Sequence, residues 1–134
     1  AKPQITSRTY ERSMGLASEI KCEAIRWEER HQVGPDVLVN CTPVGMHPEV
    51  NETPFEASGM NRRMLVFDTI YNPEQTLLLK TARESGCKTV SGVEMFVKQA
   101  ELQFKFFTDE EAPSDLMRDT LRKTIGAAKY RSNK

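Results

Sequence analysis

The amino-acid sequence predicts an α/β fold in which helices flank a doubly wound parallel sheet. Three short apolar runs, at 37–39, 64–67 and 89–90, are continuous rather than alternating, as is typical of strands covered on both faces. Helical stretches separate or follow these runs, and that alternation indicates βαβ units.

The N-terminal elements are predicted from shorter signals. Residues 3–6 and 21–25 are expected to form two further strands. Between them, Thr9 is placed to cap a helix that extends through Ile20. The chain therefore begins with a strand, a helix and a strand.

Two more helices follow the second and third apolar runs. Pro73 and Glu74 open a helix that ends near Gly86. The next helix runs from Gly92 to Phe107. Together with the strands, these helices describe most of a doubly wound sheet.

Charge spacing supports the helix that begins at Gly92. Glu94 with Lys98 and Glu101 with Lys105 are spaced four residues apart in the favourable order, and they predict one solvated stripe. The remaining circumference is expected to be buried on two apolar faces, formed by Val93, Phe96, Val97, Ala100, Phe104 and Phe107, and by Met95, Leu102 and Phe106 with Gln99 and Gln103 between them.

A final amphipathic helix is predicted after Pro113, with apolar positions up to Ile125. Residues 1–126 are expected to form one domain that includes the C-terminal helices, and 127–134 a frayed basic tail.

Composition excludes several classes of function. Lysine plus arginine number 19 and aspartate plus glutamate number 19, so no bulk charge favours nucleic acid or an anionic membrane. The three cysteines form no CxxC pair, which argues against a disulfide scaffold or a zinc site. No apolar run approaches the roughly 20 residues of a membrane helix. We expect a cytoplasmic protein without a metal.

The turn after the first strand carries two arginines, Arg8 and Arg12. Cofactors of doubly wound sheets bind beyond the carboxyl ends of the strands, where an acid usually holds the ribose hydroxyls of NAD. A guanidinium instead matches a 2′-phosphate, so these arginines favour NADP. The alternative is a solvated turn at a helix start.

The segment that follows the 37–39 run bends at Pro43 and Gly45. Such a bend lets main chain approach a ligand. The alternative is an ordinary strand exit in which Asn40 and Thr42 bond their own backbone.

Two further segments, 68–73 and 91–100, also follow apolar runs. Tyr71 can offer its hydroxyl to a ligand or merely pack on the sheet, while Asp68 is expected to tie down the turn. Gly92 permits close approach by a ring or a phosphate. Gln99 is either a ligand-binding residue or a core glutamine bonded to backbone. His31 is predicted to be a surface polar residue.

These segments, in this order, resemble the C-terminal part of shikimate dehydrogenase, most closely the form fused to 3-dehydroquinate dehydratase. The resemblance covers about residues 5–125. Its matching stretches are 7–9, 36–46, 65–73 and 90–100.

The resemblance implies part of a Rossmann-like NADP-binding domain of an enzyme that reduces 3-dehydroshikimate to shikimate with NADPH. It assigns Ser7, Arg8, Thr9 and Arg12 to the adenosine ribose and its 2′-phosphate. It assigns Asn40, Cys41, Thr42, Thr69 and Gly92 to the path toward the nicotinamide, and Met95 to packing near that ring. It assigns Tyr71 and Gln99 to shikimate.

The resemblance also implies parts that this sequence does not show. The family carries its proton-transferring lysine and aspartate in a preceding substrate domain, so no catalytic residue is assigned. A Gly-rich loop and the first, central strand are expected before Ser7. We expect a truncated product that is inactive alone, whose sheet edges are exposed or pair with another copy. The alternative is a noncatalytic nucleotide-binding or interaction module.

Overall fold

Residues 1–131 form five short parallel strands and four α-helices. A computed structural model describes the backbone of residues 1–131 and the side chains of residues 1–125. The elements are β1 (Gln4–Ile5), α1 (Tyr10–Ile20), β2 (Glu23–Ala24), β3 (Val37–Asn40), β4 (Leu65–Asp68), α2 (Leu77–Glu84), β5 (Lys88–Val90), α3 (Gly92–Thr108) and α4 (Ser114–Arg131). Single 3-10 turns occur at Trp27–Glu29 and Ala57–Gly59. The predicted α/β class is confirmed.

The strands form two separate parallel sheets. One contains β1 and β2, and the other has the order β3-β4-β5. Within residues 1–131, β1 and β3 therefore each pair on one side only, which is the separation expected from a doubly wound order without its central strand. A hollow of about 60 Å³ lies between them and touches Thr6, Leu38 and Val39.

The main hydrophobic core lies between the three-stranded sheet and α2. Val66 of β4 and Leu78, Leu79 and Ala82 of α2 are fully buried, and the loops contribute Phe55, Met64 and Cys87. A smaller contact joins α1 to β1 and β2 through the buried residues Ser13, Ala17 and Ile25. Burial of these apolar side chains holds the carboxyl ends of the strands in fixed positions.

Helix α2 begins later than the sequence predicts. It starts at Leu77 rather than at Pro73 and Glu74, because the hydroxyl of Thr76 accepts a hydrogen bond from the Leu79 N–H at 3.3 Å and caps the helix. The other helix starts agree with prediction, including Thr9 at the N-cap of α1, although the Thr9 side chain makes no capping bond.

The C-terminal helix extends further than predicted. Helix α4 runs to Arg131, past the expected domain end at residue 126. Of the predicted basic tail at 127–134, residues 132–134 lie outside the described residues.

The predicted ion pairs within α3 are wrong. Lys98 instead contacts Glu101 at 2.9 Å, Lys105 pairs with Glu111, and Glu94 pairs with Arg118 of α4. For Glu94 the cause is tertiary, because α4 packs along α3 and presents an arginine that a single-helix pattern does not contain.

The second apolar face of α3 is exposed, contrary to prediction. Met95 is 36% exposed, Leu102 61% and Phe106 82%, and Gln99 on the same face is exposed as well. On the first face Phe107 is also 80% exposed. A helical period identifies an apolar face, but only a packing partner buries it.

His31 is not the surface polar residue that we predicted. Both ring nitrogens are shielded from solvent and lack a hydrogen-bond partner within the described chain. The ring packs edge-on against Phe55, with centroids 4.6 Å apart. Burial lowers the pKa of His31, the Arg30 charge lowers it further, and Glu56 opposes both effects.

Among the residues that the structure describes, no helix is long and apolar enough to cross a membrane. The described side chains also contain no group of three or more histidine, cysteine, aspartate or glutamate residues placed to hold a metal ion.

Candidate functional site

The four predicted segments lie at the carboxyl ends of parallel strands. Residues 7–12 follow β1, 41–46 follow β3, 69–73 follow β4, and Ser91 with Gly92 follows β5. Because β3, β4 and β5 pair in parallel register, their exits meet at one edge of the sheet.

Asn40 organises the loop after β3. Its Nδ2 donates to the Val44 carbonyl at 3.2 Å and to Asp68 Oδ1 at 3.1 Å. Its Oδ1 accepts from the Thr42 N–H at 3.0 Å and the Thr42 hydroxyl at 2.7 Å. Both amide protons and the carbonyl oxygen are therefore used inside the protein. Asn40 shapes the loop that carries Cys41 and Thr42, in agreement with the local-bonding alternative.

Asp68 joins three elements at the centre of this edge. The buried carboxylate accepts from Asn40, from the Ile70 N–H at 3.1 Å and from the Thr76 hydroxyl at 2.7 Å. Burial raises the pKa of Asp68, and the hydrogen bonds from Thr76, Ile70 and Asn40 oppose that rise. The predicted role of tying down the turn is confirmed, and it extends to the N-terminus of α2.

Thr69, directly after β4, is hydrogen-bonded to the last residue of β3. Its N–H and its hydroxyl both donate to the Asn40 carbonyl, at 3.1 Å and 2.9 Å. A second link joins the same two loops, because the His47 N–H donates to the Asn72 carbonyl at 3.2 Å. The loops after β3 and β4 therefore form one connected wall.

Gly92 brings the start of α3 against this wall. A Cβ at Gly92 would lie 2.3 Å from the Ile70 carbonyl oxygen and 2.5 Å from that of Thr69. Such distances are shorter than any tolerated van der Waals contact, so only glycine fits. The structure explains the glycine by backbone packing against residues 69–70, while the predicted approach of a ring or a phosphate to Gly92 stays a prediction.

Tyr71 and Gln99 both face solvent on the same side of α3. The Tyr71 ring packs against Phe96 of α3, with centroids 5.3 Å apart, and Tyr71 stays 43% exposed. Gln99 lies three residues after Phe96 and is exposed, without a side-chain hydrogen bond in the described structure. The alternative of a buried core glutamine is therefore wrong. Met95, one turn before Gln99, is partly exposed beside them.

The turn after β1 is shaped by serines. The Ser7 hydroxyl donates to the Thr9 carbonyl at 2.7 Å and accepts from the Ser13 hydroxyl at 2.9 Å. Arg8 and Arg12 are exposed, and among residues 1–125 neither guanidinium forms an ion pair. Two cations that lack carboxylate partners suit an anionic group.

Sequence reasoning missed Thr76 and the extent of the Asp68 network. Thr76 is fully buried and serves both as the cap of α2 and as a donor to Asp68. A threonine directly before three leucines was a usable N-cap signal. No local pattern shows the bond to a residue eight positions earlier.

Comparisons with known proteins agree with the resemblance found in the motifs. Residues 92–122 match the family model of the shikimate 5′-dehydrogenase C-terminal domain. The chloroplastic bifunctional 3-dehydroquinate dehydratase/shikimate dehydrogenase of Arabidopsis thaliana is 45% identical over 119 residues, which cover 87% of this chain and 20% of the relative.

Two solved structures share the fold. A shikimate dehydrogenase in complex with NADP⁺ aligns with a TM-score of 0.82 at 31% identity. The Thermus thermophilus enzyme, in complex with NADP(H) and shikimate, aligns with a TM-score of 0.79 at 26% identity. Each alignment covers 91% of this chain and 46% of the other. The present chain thus spans about half the length of these neighbours.

Proposed function

We propose that this chain, which is related to the shikimate dehydrogenases through their C-terminal domain, forms the NADP-binding part of an enzyme that reduces 3-dehydroshikimate to shikimate. The observation that carries the proposal is the meeting of the strand-end segments at one edge, with unpaired arginines at the turn after β1. Bound NADPH would supply the hydride.

The turn after β1 would hold the adenosine end of the cofactor. Arg8 and Arg12 would neutralise the 2′-phosphate, because guanidinium groups match phosphate oxygens in charge and geometry. Ser7 would act by shaping the turn, since its hydroxyl already bonds Thr9 and Ser13. The exposed Thr9 side chain remains available for the ribose.

The wall after β3 and β4 would guide the cofactor toward the reacting carbon. Cys41 is exposed and Thr42 lies on a loop that Asn40 fixes, so both are placed to line the path. Thr69 and Gly92 would contribute their rigid backbone. Met95 would pack near the nicotinamide as an apolar surface without taking part in the reaction.

Tyr71 and Gln99 would bind the hydroxyl and carboxylate groups of the substrate. Both side chains are exposed at the same side of α3, and a phenol and an amide provide the donors and acceptors that a polyhydroxy acid requires. A substrate held there would lie close to the exposed Met95.

The exposed apolar face of α3 supports the presence of a partner domain in the complete enzyme. Leu102 and Phe106 extend the face that carries Gln99, and both are largely exposed. Exposed apolar patches of this kind mark interaction surfaces. We infer that the substrate domain of the complete enzyme covers this face and supplies the proton-transferring groups, so that the chain alone is inactive.

The decisive experiment restores the substrate domain. The chain is joined behind the substrate domain, central strand and Gly-rich loop of a shikimate dehydrogenase, and NADP⁺ reduction by shikimate is measured. Turnover is expected, with a raised KM for shikimate in Gln99→Ala. Gln32→Ala is the matched control, since it removes an exposed glutamine that lies outside α3. A well-folded chimera that binds nucleotide but never turns over would favour the noncatalytic module.

A further inference from the structure

Arg26 lies near the turn after β1 although it follows a different strand, β2. Strands β1 and β2 pair in parallel register, with Gln4 opposite Glu23 and Ile5 opposite Ala24, and the Ile25 N–H continues the ladder to the Ile5 carbonyl at 2.8 Å. The next residue, Arg26, therefore leaves the sheet beside the turn at residues 7–12.

The ring of Tyr10 holds the Arg26 side chain at this position. The guanidinium carbon lies 4.7 Å from the ring centroid, within the range of a cation–π contact. Tyr10 is the first residue of α1 and lies in sequence between Arg8 and Arg12. The contact therefore places the Arg26 side chain against the first residue of α1, which lies two residues after Arg8 and two residues before Arg12.

Three arginines thus belong to the segments around the first turn of α1, with Arg8 and Arg12 on either side of Tyr10 in sequence and Arg26 against its ring. In the described structure none of Arg8, Arg12 and Arg26 forms an ion pair. Like charges near one another repel, and a phosphate monoester, with a charge of about −1.5 to −2, would relieve that repulsion. The N-cap residue Thr9 makes no side-chain cap bond, which leaves first-turn N–H groups of α1 for the same anion.

We propose that Arg26 is a specificity-determining residue that binds the 2′-phosphate of NADPH together with Arg8 and Arg12. The inference rests on the proposed cofactor, and it adds to the β1 turn a residue from the end of β2. A planar guanidinium stacked on a ring keeps its edge free for phosphate oxygens, whereas an arginine engaged in an ion pair would not.

The test compares the dissociation constants of NADPH and NADH for the whole chain, joined behind the substrate domain, central strand and Gly-rich loop as described above, and for Arg26→Gln in the same chimera. Losing one charge-assisted contact is expected to weaken NADPH binding about tenfold and to leave NADH binding nearly unchanged. The matched control is Arg63→Gln, which removes an exposed arginine just before β4, at the opposite edge of the sheet. It should alter neither constant.

Each outcome decides the inference. Equal NADPH affinity for the wild type and a folded Arg26→Gln would overturn the role of Arg26 alone. Equal losses for NADPH and NADH would show a structural or adenine-stacking role and would also overturn it. A wild-type chain that binds neither nucleotide, or does not prefer NADPH, would reject the proposed cofactor site as well. If Arg26→Gln fails to fold, Arg26→Lys serves instead: the retained charge should keep most of the NADPH preference, and its complete loss would contradict the proposal.

Discussion

Replacing Gly92 with alanine is expected to destabilise the fold and to displace the loop that carries Tyr71. The added Cβ would stand 2.3 Å from the Ile70 carbonyl oxygen and 2.4 Å from its carbonyl carbon. Ordinary contacts lie about 1 Å further apart. Both obstructing atoms belong to backbone, which cannot rotate away as a side chain tip can, so α3 or the loop after β4 must shift.

The magnitude follows from two opposing effects. Overpacking of a tightly packed site costs about 1–3 kcal/mol. Alanine is intrinsically a better helix residue than glycine by about 1 kcal/mol in a helix interior, but Gly92 is the first residue of α3, where that gain is smaller. The free energy of unfolding should therefore fall by about 1–2 kcal/mol.

The assay is urea unfolding of the wild type and two variants. Gly15→Ala is the matched control, because Gly15 lies inside α1 and a Cβ there would meet nothing within 4 Å. This control should raise stability by about 0.5–1 kcal/mol. The reasoning is refuted if Gly92→Ala is as stable as the wild type, or if both variants are destabilised alike.

The remaining predictions concern pH and assembly. Burial raises the pKa of Asp68 in the folded protein above its value in the unfolded chain. The protonated carboxyl therefore stabilises the fold below the unfolded pKa, and this stabilisation is lost as pH rises through the folded pKa. In unfolding measured across pH, Asp68→Asn should abolish this pH-dependent loss of stability. Burial lowers the pKa of His31, so the free energy of unfolding should fall as pH drops below about 6.5. His31→Leu should suppress this fall. The control His47→Leu changes an exposed histidine and should not suppress it. Within the described residues, strands β1 and β3 each pair on one side only. Their unpaired backbone groups should cause concentration-dependent self-association. Sedimentation that finds a monomer at every concentration would contradict this prediction.

Local sequence patterns identified the elements and the segments that carry the site. Apolar runs fell on β3, β4 and β5, and the residues after each run occupy the carboxyl edge. These predictions succeeded because continuous β-branched runs and strand-exit polar residues depend on near neighbours in the chain. The role of Asp68 was anticipated from the same patterns, whereas the packing of Gly92 against the backbone of residues 69–70 was not.

Predictions that required knowledge of a distant partner were wrong. Helix α3 was expected to pair Glu94 with Lys98, yet Glu94 contacts Arg118 of α4. For Glu94, a contact across the fold replaced a plausible contact within one helix. Helix α2 was expected to begin at Pro73 and Glu74, yet Thr76 caps it; that cap has a local signal, and only the bond from Thr76 to Asp68 depends on a residue outside the helix.

The order of strands and helices, the four strand-end motifs and the family resemblance could be predicted from residue types at short spacing. Other features follow from tertiary packing alone: which faces are buried, the exposure of Gln99, the shielding of His31 and the position of Arg26 beside Tyr10. Burial and pairing depend on how separate elements pack, and packing joins residues whose separation along the chain carries no periodic signal.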